Sequence, residues 1–452
     1  MVSTPESEII QTRLQAVNDA LNTGVSARVR QLLLQLSASD IADLLESSPP
    51  KARSLLWNLI KEEDKGEILE DLSDEIRNQF ALEMEPEQLA HALSGLDTDD
   101  LADILGDLPD QLSNKVLHSM DDQDQQRVKL ALAYPEDSAG GLMNTDTVTV
   151  RQDVTVDVVL RYLRMRGELP ENTDNLYVVN RDDEYIGVVA LQDLVISPPE
   201  QEITEVMSDN SDSISVDIGD AEVAQIFERY DLLSAPVVNA KGQLLGRITI
   251  DDVVDVIIED AEHSLMSMGR LNEDEDAFAP VVVSAKRRAL WLGVNLITAV
   301  VAASVSNYFE GILDKLATVA ILMTIVPSMG GIAGTQTLTL MVRAIALGQI
   351  GESNSRWLLY KELAVGIING MVWALVIAGI VGYWKDDVQL GIIIASAMAV
   401  NMTVAGLAGV SIPLMLKKMN IDPALAGGVI LTTITDVVGL VAFLGLATVI
   451  LG

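Results

Sequence analysis

The hydrophobic positions divide the chain of 452 residues into parts of different periodicity. Residues 1–137 carry Leu and Ile at helical spacing with prolines between the runs, which predicts a series of short amphipathic helices. Residues 138–250 alternate short Val- and Ile-rich runs with helical runs, which predicts small α/β units. Residues 287–452 contain long apolar stretches, each sufficient to cross a membrane at ~20 residues per span.

Five such stretches in succession predict a transmembrane domain. Four of the five Trp residues lie in this part of the chain, as membrane interfaces favour. A buried globular helical core would fit five consecutive runs of this length poorly. The predicted spans are Ala289–Leu313, Ala317–Leu347, Leu358–Trp384, Leu390–Leu416 and Pro423–Leu451.

Basic residues beside the spans predict the orientation, because they are retained on the cytoplasmic side. Eight lie on one side, whereas the other side carries only Lys315 and Lys385. We therefore expect a multi-pass protein of the bacterial inner membrane with a cytoplasmic N-terminus and an extracytoplasmic C-terminus. The polar start MVSTPESEII predicts no cleavable signal peptide. The eight basic residues are Lys286, Arg287, Arg288, Arg343, Arg356, Lys361, Lys417 and Lys418.

Two internal repeats organise the first 250 residues. Ser39–Leu45 recurs as Asp99–Leu105, which predicts a superhelical array of helix pairs. Farther along, a strand-like run ending in Asn is followed after seven residues by Gly and after six more by Asp, and the pattern occurs twice. This repeat resembles a tandem CBS pair, a module that senses ligands and gates an attached domain. Its anchors are Asn180, Gly187 and Asp193 in the first copy and Asn239, Gly246 and Asp252 in the second.

Charge and composition exclude several classes of protein. The first 286 residues hold 58 acidic and 21 basic residues, a net charge of −37, which repels nucleic acid and attracts cations. The chain has no Cys and only three His, none of them in the predicted spans, so thiolate metal sites are excluded and His-based catalysis is disfavoured. No GxxxxGK[ST] motif occurs, and we expect no enzymatic activity.

A segment over Asp251–Gly269 is predicted to form a helix with an acidic and an apolar stripe. The usual interpretation of an acidic stripe is a solvated face. Here, however, like charges at helical spacing repel on the order of a few tenths of a kcal/mol per pair, with almost no basic residue nearby. Bound divalent cations would offset that repulsion. The stripe consists of Asp252, Asp255, Glu259 and Glu262.

Asp436 is the one ionisable residue placed deep in a predicted span, roughly 21 Å along the helix from Asp422 at 1.5 Å per residue. Intramembrane carboxylates are costly and usually functional. A structural ion pair is one alternative, although no Lys or Arg lies at comparable depth. A protonated carboxyl packed against Thr432, Thr433 or Thr435 is another. We favour an ion site over both.

The second and fourth spans offer further polar groups. Pro327 and the glycines of Gly330–Gly334 predict an interruption that frees backbone carbonyls, with close helix packing as the alternative. Every polar ligand in the spans is an oxygen atom or an amide, which suits a hard cation such as Mg²⁺ or Ca²⁺. The candidate pore ligands are Asp436, Thr432, Gly330, Gly331 and Asn401.

The chain resembles the MgtE magnesium transporter family over almost its whole length. The order of helical N domain, CBS pair, acidic connecting helix and five spans is similar, and three motifs carry the resemblance. These are Ser138–Met143, the GGxxGxQ run Gly330–Gln336, and Asp422–Ala426 leading to Thr435 and Asp436. The chain departs from the family at Ile332, where Asn is common, so this position offers no side-chain ligand.

The resemblance implies a homodimeric channel that imports Mg²⁺ down its electrochemical gradient and closes when cytoplasmic Mg²⁺ binds. Asp436 matches the pore aspartate, the acidic connecting helix matches the plug helix, and ATP is a candidate ligand of the CBS pair. The expected regulatory Mg²⁺ ligands are Asp99, Asp103, Asp231, Asp252, Asp255, Glu259, Asp260 and Glu262.

The predicted fold is a multidomain membrane protein with an all-α N domain, an α/β CBS pair, a plug helix and five transmembrane helices. One competing function is a membrane-anchored adenylate sensor without transport, but an anchor needs neither Asp436 nor a glycine-rich span. An intramembrane metalloprotease would need His in the spans. The expected domains are 1–137, the CBS motifs 138–203 and 204–250, the plug helix and linker 251–286, and the transmembrane domain 287–452.

Overall fold

The computed structural model describes two compact units. The polar unit comprises residues 1–262 and 274–280, and the membrane unit comprises residues 263–273 and 281–452. The predictions made for residues 1–25 lie outside the described residues. Described are residues 26–170, 172–209, 213–271, 275–315, 317–351 and 354–451.

From residue 26 to residue 131, the described part of the polar unit forms nine short α-helices, as the periodicity predicts. Two of the prolines occupy the first position of a helix, Pro50 and Pro86, where the missing N–H costs nothing. The repeated segments both form helices, and their buried faces join one core in which Trp57 stacks on Phe80. The helices are α1 Ser26–Leu33, α2 Ala38–Glu46, α3 Pro50–Trp57, α4 Lys65–Glu70, α5 Asp74–Glu83, α6 Pro86–Ala92, α7 Thr98–Gly106, α8 Asp110–Ser119 and α9 Asp122–Ala131.

Two three-stranded sheets of the same topology follow. In each, the first strand pairs parallel with the second and the second antiparallel with the third. The repeated glycines allow close approach: a Cβ at Gly187 or Gly246 would lie 2.6 Å from a backbone carbonyl oxygen. The elements are β1 Thr149–Arg151, α10 Val156–Arg166, β2 Asn175–Val179, β3 Tyr185–Ala190, α11 Leu191–Ile196, α12 Ile203–Val206, β4 Ile214–Ser215, α13 Asp220–Tyr230, β5 Ser234–Val238 and β6 Leu244–Thr249.

The predicted connecting helix is α14, Ile250–Met268. Its start is fixed by Asp252, whose carboxylate accepts hydrogen bonds from the N–H and the hydroxyl of Thr249. Val253 and Val256 are buried in the core of the second sheet, so the acidic stripe is left on the other face.

Within its described residues, the membrane unit contains five helices, or helix pairs, long and apolar enough to span a membrane. The first begins eight residues before the predicted start, because the basic residues 286–288 continue a helix rather than end it. Glycines bring α19 and α20 together: a Cβ at Gly406 would lie 2.9 Å from the carbonyl oxygen of Glu362. The helices are α15 Val281–Tyr308, α16 Glu310–Lys315, α17 Ala317–Leu322, α18 Ile325–Ala346, α19 Ser355–Lys385, α20 Val388–Lys418 and α21 Pro423–Leu451.

Candidate functional site

Asp436 lies at the centre of α21, thirteen residues from its first residue, Pro423. Its side chain is partly exposed within the single chain. Among the described residues, no hydrogen bond or ion pair to its carboxylate is present. The carboxylate is therefore available to a ligand from outside the chain.

The threonines beside Asp436 use their hydroxyls elsewhere. Thr432 donates to the carbonyl oxygen of Gly428 at 2.7 Å, Thr433 to Val429, and the buried Thr435 to Leu431. In the described part of the chain, the hydroxyls of all three threonines thus donate to backbone carbonyl oxygens of their own helix. Thr432 is exposed and lies one turn before Asp436, on the same face of α21.

The glycine run of the second span does not interrupt its helix. α18 continues through Gly330–Gly334, so the predicted break at these residues is wrong. The break occurs earlier, between α17 and α18, and Pro327 sits in the first turn of α18, where a proline is tolerated. The glycines instead allow close packing of α18 on neighbouring helices, which was the alternative prediction.

Gly330 and Asn401 pack directly on each other. Asn401 is fully buried, its side-chain amide donates to the carbonyl oxygen of Val326 at 2.8 Å, and its Oδ1 has no hydrogen-bond partner among the described residues. The next residue, Gly331, lies near the hydroxyl of Thr435. Within one chain Asn401 therefore braces the helix that carries the glycines, and its role as an ion ligand stays a prediction.

Gly330→Ala is expected to destabilise the membrane unit, whereas Gly331→Ala is not. A Cβ at Gly330 would overlap the amide of Asn401, while one at Gly331 would meet Thr435 Oγ1 at 3.9 Å, an ordinary contact. Overpacking of this kind costs ~1–3 kcal/mol. Thermal unfolding of the two variants in the same detergent measures the difference, and equal midpoints would contradict the packing role of Gly330.

The polar unit brings several predicted acidic ligands together. Asp99 and Asp103 lie on α7, and their charges act on those of Asp252 and Glu259 on α14. Asp99 is buried, and its Oδ1 has no hydrogen-bond partner in the described part of the chain. We call the following residues the acidic cluster: Asp99, Asp100, Asp103, Asp252, Asp255 and Glu259.

The pKa values of the acidic cluster are raised throughout. Burial and the charge of Asp252 raise the pKa of Asp99 well above its ordinary value. Burial and the charge of Glu70 raise the pKa of Asp100 to about 8. Burial raises the pKa of Asp103 and that of Asp252 to about 7. Partial burial and the charge of Asp74 raise the pKa of Glu259 to about 7. A bound proton or a bound cation would therefore stabilise these carboxylates.

Sequence reasoning missed one member of the acidic cluster and one of its neighbours, and it included other residues that lie outside the cluster. Asp100, whose pKa is raised, and Glu136, which faces Asp103 and Glu259, were not predicted. Asp100 is the second residue of the repeated segment, as Asp40 is in the first copy, and this repetition could have indicated it. No such signal exists for Glu136. The predicted ligands Asp231, Asp260 and Glu262 are exposed and are not members of the acidic cluster.

No group of three or more carboxylate or imidazole side chains in the described ranges is arranged to hold a metal ion directly. A cation held at the acidic cluster would have to keep much of its water shell. Mg²⁺ binds in this way, through one or two carboxylates and several waters.

The stability of the polar unit is expected to fall as pH rises from 5.5 to 8 in a chelator. Acids whose pKa is raised on folding hold more protons in the folded state, so stability is lost as pH rises through about 7 to 8. The full-length chain should unfold at least ~2–4 °C lower at pH 8, the shift that ~1 kcal/mol produces in a domain of this size.

Mg²⁺ should reverse this loss at pH 8 and have little effect at pH 5.5, because only ionised carboxylates attract it. Scanning calorimetry of the full chain, with Na⁺ at equal ionic strength as the control, measures both arms. Equal stabilisation by the two salts would mean that the acidic cluster is merely a screened surface.

Polar contacts also connect the two repeated α/β motifs. The hydroxyl of Tyr177 donates to Ser234 Oγ at 3.0 Å, and Ser234 in turn donates to the carboxylate of Asp174. The burial that accompanies this contact raises the pKa of Tyr177, which therefore stays protonated. The two motifs thus share hydrogen bonds as well as topology.

Three family models match the chain. A model of a divalent cation transporter, MgtE, matches residues 323–446, and a model of the MgtE intracellular N domain matches residues 36–137. The CBS domain model matches twice, at residues 139–198 and 203–259.

Two bacterial relatives match this chain over nearly its full length. A protein named magnesium transporter MgtE from Bacillus subtilis is 28% identical over 428 residues, 95% of each chain. One of the same name from Thermus thermophilus is 28% identical over 441 residues, 96% of this chain and 98% of its own. A crystal structure of the cytosolic domain of the Mg²⁺ channel MgtE in complex with ATP is 30% identical, with a TM-score of 0.50, and covers 54% of this chain and 99% of that one.

Proposed function

The chain belongs to the MgtE family of divalent cation transporters, and on that premise we propose that it carries Mg²⁺ across the membrane through a channel that cytoplasmic Mg²⁺ closes. It is a multi-pass membrane protein rather than an enzyme. The alternative of a membrane-anchored adenylate sensor is not favoured, because the relatives that match over nearly the whole chain are transporters.

Asp436 carries the proposal for the pore. Its carboxylate stands at the middle of a spanning helix, without a basic partner among the described residues, and a free carboxylate at that depth attracts a cation. Thr432, one turn away, offers a hydroxyl oxygen on the same face. A divalent cation gains ~4.6 kcal/mol on entering down an inside-negative potential of ~100 mV, so no nucleotide hydrolysis is required.

We propose that the channel is a homodimer in which two Asp436 carboxylates face one axis. Two such charges match one divalent cation, and a two-fold interface would place them symmetrically. Apolar surface left open in the single chain supports this arrangement. In the polar unit, Met165 and Ile196 are each at least 80% exposed. Light scattering from the detergent-solubilised chain measures the mass of the assembly.

The orientation follows from the basic residues beside the spans. Eight lie on the side of the spans that leads to the polar unit, and this bias favours a cytoplasmic polar unit. The acidic cluster would then sample the cytoplasmic Mg²⁺ concentration. We also propose the five domains with the bounds that the sequence predicts.

Closure would begin at the acidic cluster. Mg²⁺ between α7 and α14 relieves the repulsion among their carboxylates and holds the two helices together. The last turns of α14 belong to the membrane unit, where Nε2 of His263 lies 3.6 Å from Oδ2 of Asp422 at the start of α21. The helix α14, which carries the acidic stripe, therefore also contacts the start of α21, the helix that carries Asp436.

ATP is proposed as a second ligand of the polar unit, at the CBS pair. The support is the relative whose cytosolic domain was crystallised in complex with ATP. Isothermal titration of the full chain with ATP tests this part of the proposal separately, because it does not depend on transport.

Uptake into liposomes tests the proposed function itself. The purified full-length chain is reconstituted with a Mg²⁺ indicator dye inside, and an imposed inside-negative potential should drive Mg²⁺ influx that empty liposomes lack. Growth of cells without other magnesium uptake at low Mg²⁺ gives an independent readout. Absence of both influx and growth, with the protein inserted and monodisperse, would refute transport.

A further inference from the structure

A cavity of about 250 Å³ lies between α18, α19 and α20 of the membrane unit. Its polar lining comes from two neighbouring helices, α18 and α19, and none of its lining residues belongs to α21, the helix of Asp436. It is therefore a different place from the proposed pore ligand. The polar residues that line it are Gln336, Thr337, Lys361, Glu362 and Asn369.

Glu362 is the fixed group of this cavity. Its side chain is 6% exposed, and Oε2 accepts a hydrogen bond from Thr337 Oγ1 at 3.1 Å. Both residues pack closely on α20, since a Cβ at Gly406 would lie 2.9 Å from the backbone carbonyl oxygen of Glu362 and one at Gly409 would lie 2.8 Å from Thr337 Cβ. The carboxylate is therefore buried beside a hydrogen-bond donor of the neighbouring helix.

Lys361 is the movable group. Its Nζ lies 2.8 Å from Oε1 of Glu362 and neutralises the carboxylate, but its side chain is 40% exposed. A lysine on a flexible stem can swing its ammonium towards the membrane surface at low cost. If it did so, the cavity would keep a carboxylate, a hydroxyl and two side-chain amides, all of which offer oxygen.

The space also fits the size of a hydrated ion. A water molecule takes up about 30 Å³ in the liquid, so a cavity of about 250 Å³ holds a cation together with roughly six waters. Hard divalent cations prefer such oxygen ligands, and Mg²⁺ keeps several waters when it binds. A buried ion pair used only for packing would not need this space.

We propose that this cavity is a second cation site in the membrane unit, in which the Lys361 ammonium is a tethered counter-ion that a hydrated divalent cation displaces from Glu362. The choice of Mg²⁺ as the probe rests on the proposed function, whereas the site itself rests on the cavity and its buried carboxylate. Occupancy would be regulated by competition between the tethered ammonium and the free cation.

Cysteine labelling reads the occupancy of the cavity directly, because the chain has no native Cys. Val365→Cys places a thiol in the lining, and Gln349→Cys places one in the exposed loop after α18 as a control. Both are made in the full-length Asp436→Asn chain, so that neither the pore carboxylate nor transport contributes. The measured quantity is the rate of reaction with a small water-soluble thiol reagent, with and without Mg²⁺.

We expect Mg²⁺ to slow labelling of Val365→Cys and to leave Gln349→Cys unchanged. At about ten times the dissociation constant the rate should fall about tenfold, since only the empty fraction reacts. Lys361→Met removes the competitor and should lower the half-protecting Mg²⁺ concentration, whereas Glu362→Gln should abolish protection.

Two outcomes would overturn the proposal. One is a Val365→Cys thiol that does not react at all in the absence of Mg²⁺, because a cation site requires access to water. The other is a rate unaffected by Mg²⁺ both with Lys361 and with Lys361→Met, which would leave a structural ion pair. Because Lys361→Met keeps the carboxylate, the test does not depend on the folding of Glu362→Gln. Uptake by the unmodified chain is measured separately, so failure of the site and failure of transport are distinguishable.

Discussion

Asp436→Asn is expected to abolish Mg²⁺ influx through the full-length chain in liposomes, while insertion and folding stay intact. The substitution keeps the shape of the side chain and removes the one carboxylate at the centre of a spanning helix. Two unit charges ~4 Å apart attract by ~4 kcal/mol near a protein surface, and a divalent cation by about twice that. A loss of even ~3 kcal/mol of binding free energy corresponds to a roughly 100-fold lower affinity for the cation.

Two further variants sharpen this test. Asp436→Glu keeps the charge but moves it outward by one methylene, so we expect it to retain little influx. Asp387→Asn is the matched control, because Asp387 caps α20 through the N–H groups of Gln389 and Leu390, and Asn caps a helix equally well. Near-normal influx through Asp436→Asn would mean that Asp436 is a packing residue and that the pore lies elsewhere.

The elements that the sequence predicted well are those with strong periodicity. The apolar runs give the five spans, because a membrane helix must satisfy its backbone internally and needs a fixed length of apolar sequence. The connecting helix was predicted over Asp251–Gly269 and is found over Ile250–Met268. Its acidic and apolar stripes separate at helical spacing, so both ends and both faces could be derived from the residues alone.

What sequence reasoning missed depends on contacts between distant residues. The glycines of Gly330–Gly334 suggested a broken helix, but the partner of Gly330 is Asn401, seventy-one residues farther along the chain, and the contact is one of close packing. Glu362 lies near the end of its predicted span, and nothing local indicates that Thr337 of another helix covers it. Glu136 joins the surroundings of the acidic cluster only because the fold brings it there.

Neutralising four of the six carboxylates of the acidic cluster is expected to leave transport active but much less sensitive to cytoplasmic Mg²⁺. The variant combines Asp99→Asn, Asp103→Asn, Asp252→Asn and Glu259→Gln. These carboxylates raise one another's pKa values across α7 and α14, and their repulsion is what bound Mg²⁺ would relieve. Without those charges, Mg²⁺ has no differential affinity for the closed arrangement, and a ligand without differential affinity shifts no equilibrium.

Influx measured against the Mg²⁺ concentration on the side of the polar unit decides this. We expect the half-inhibiting concentration to rise at least about tenfold, which corresponds to a loss of ~1.4 kcal/mol of differential binding. Asp231→Asn is the matched control: Asp231 is exposed and ends α13 in a left-handed conformation that Asn tolerates. Its regulation should remain normal if the acidic cluster alone binds Mg²⁺, although the family resemblance made Asp231 a candidate ligand. An unchanged half-inhibiting concentration in the four-residue variant would contradict closure by the acidic cluster. The regulatory Mg²⁺ would then bind at a site elsewhere in the chain.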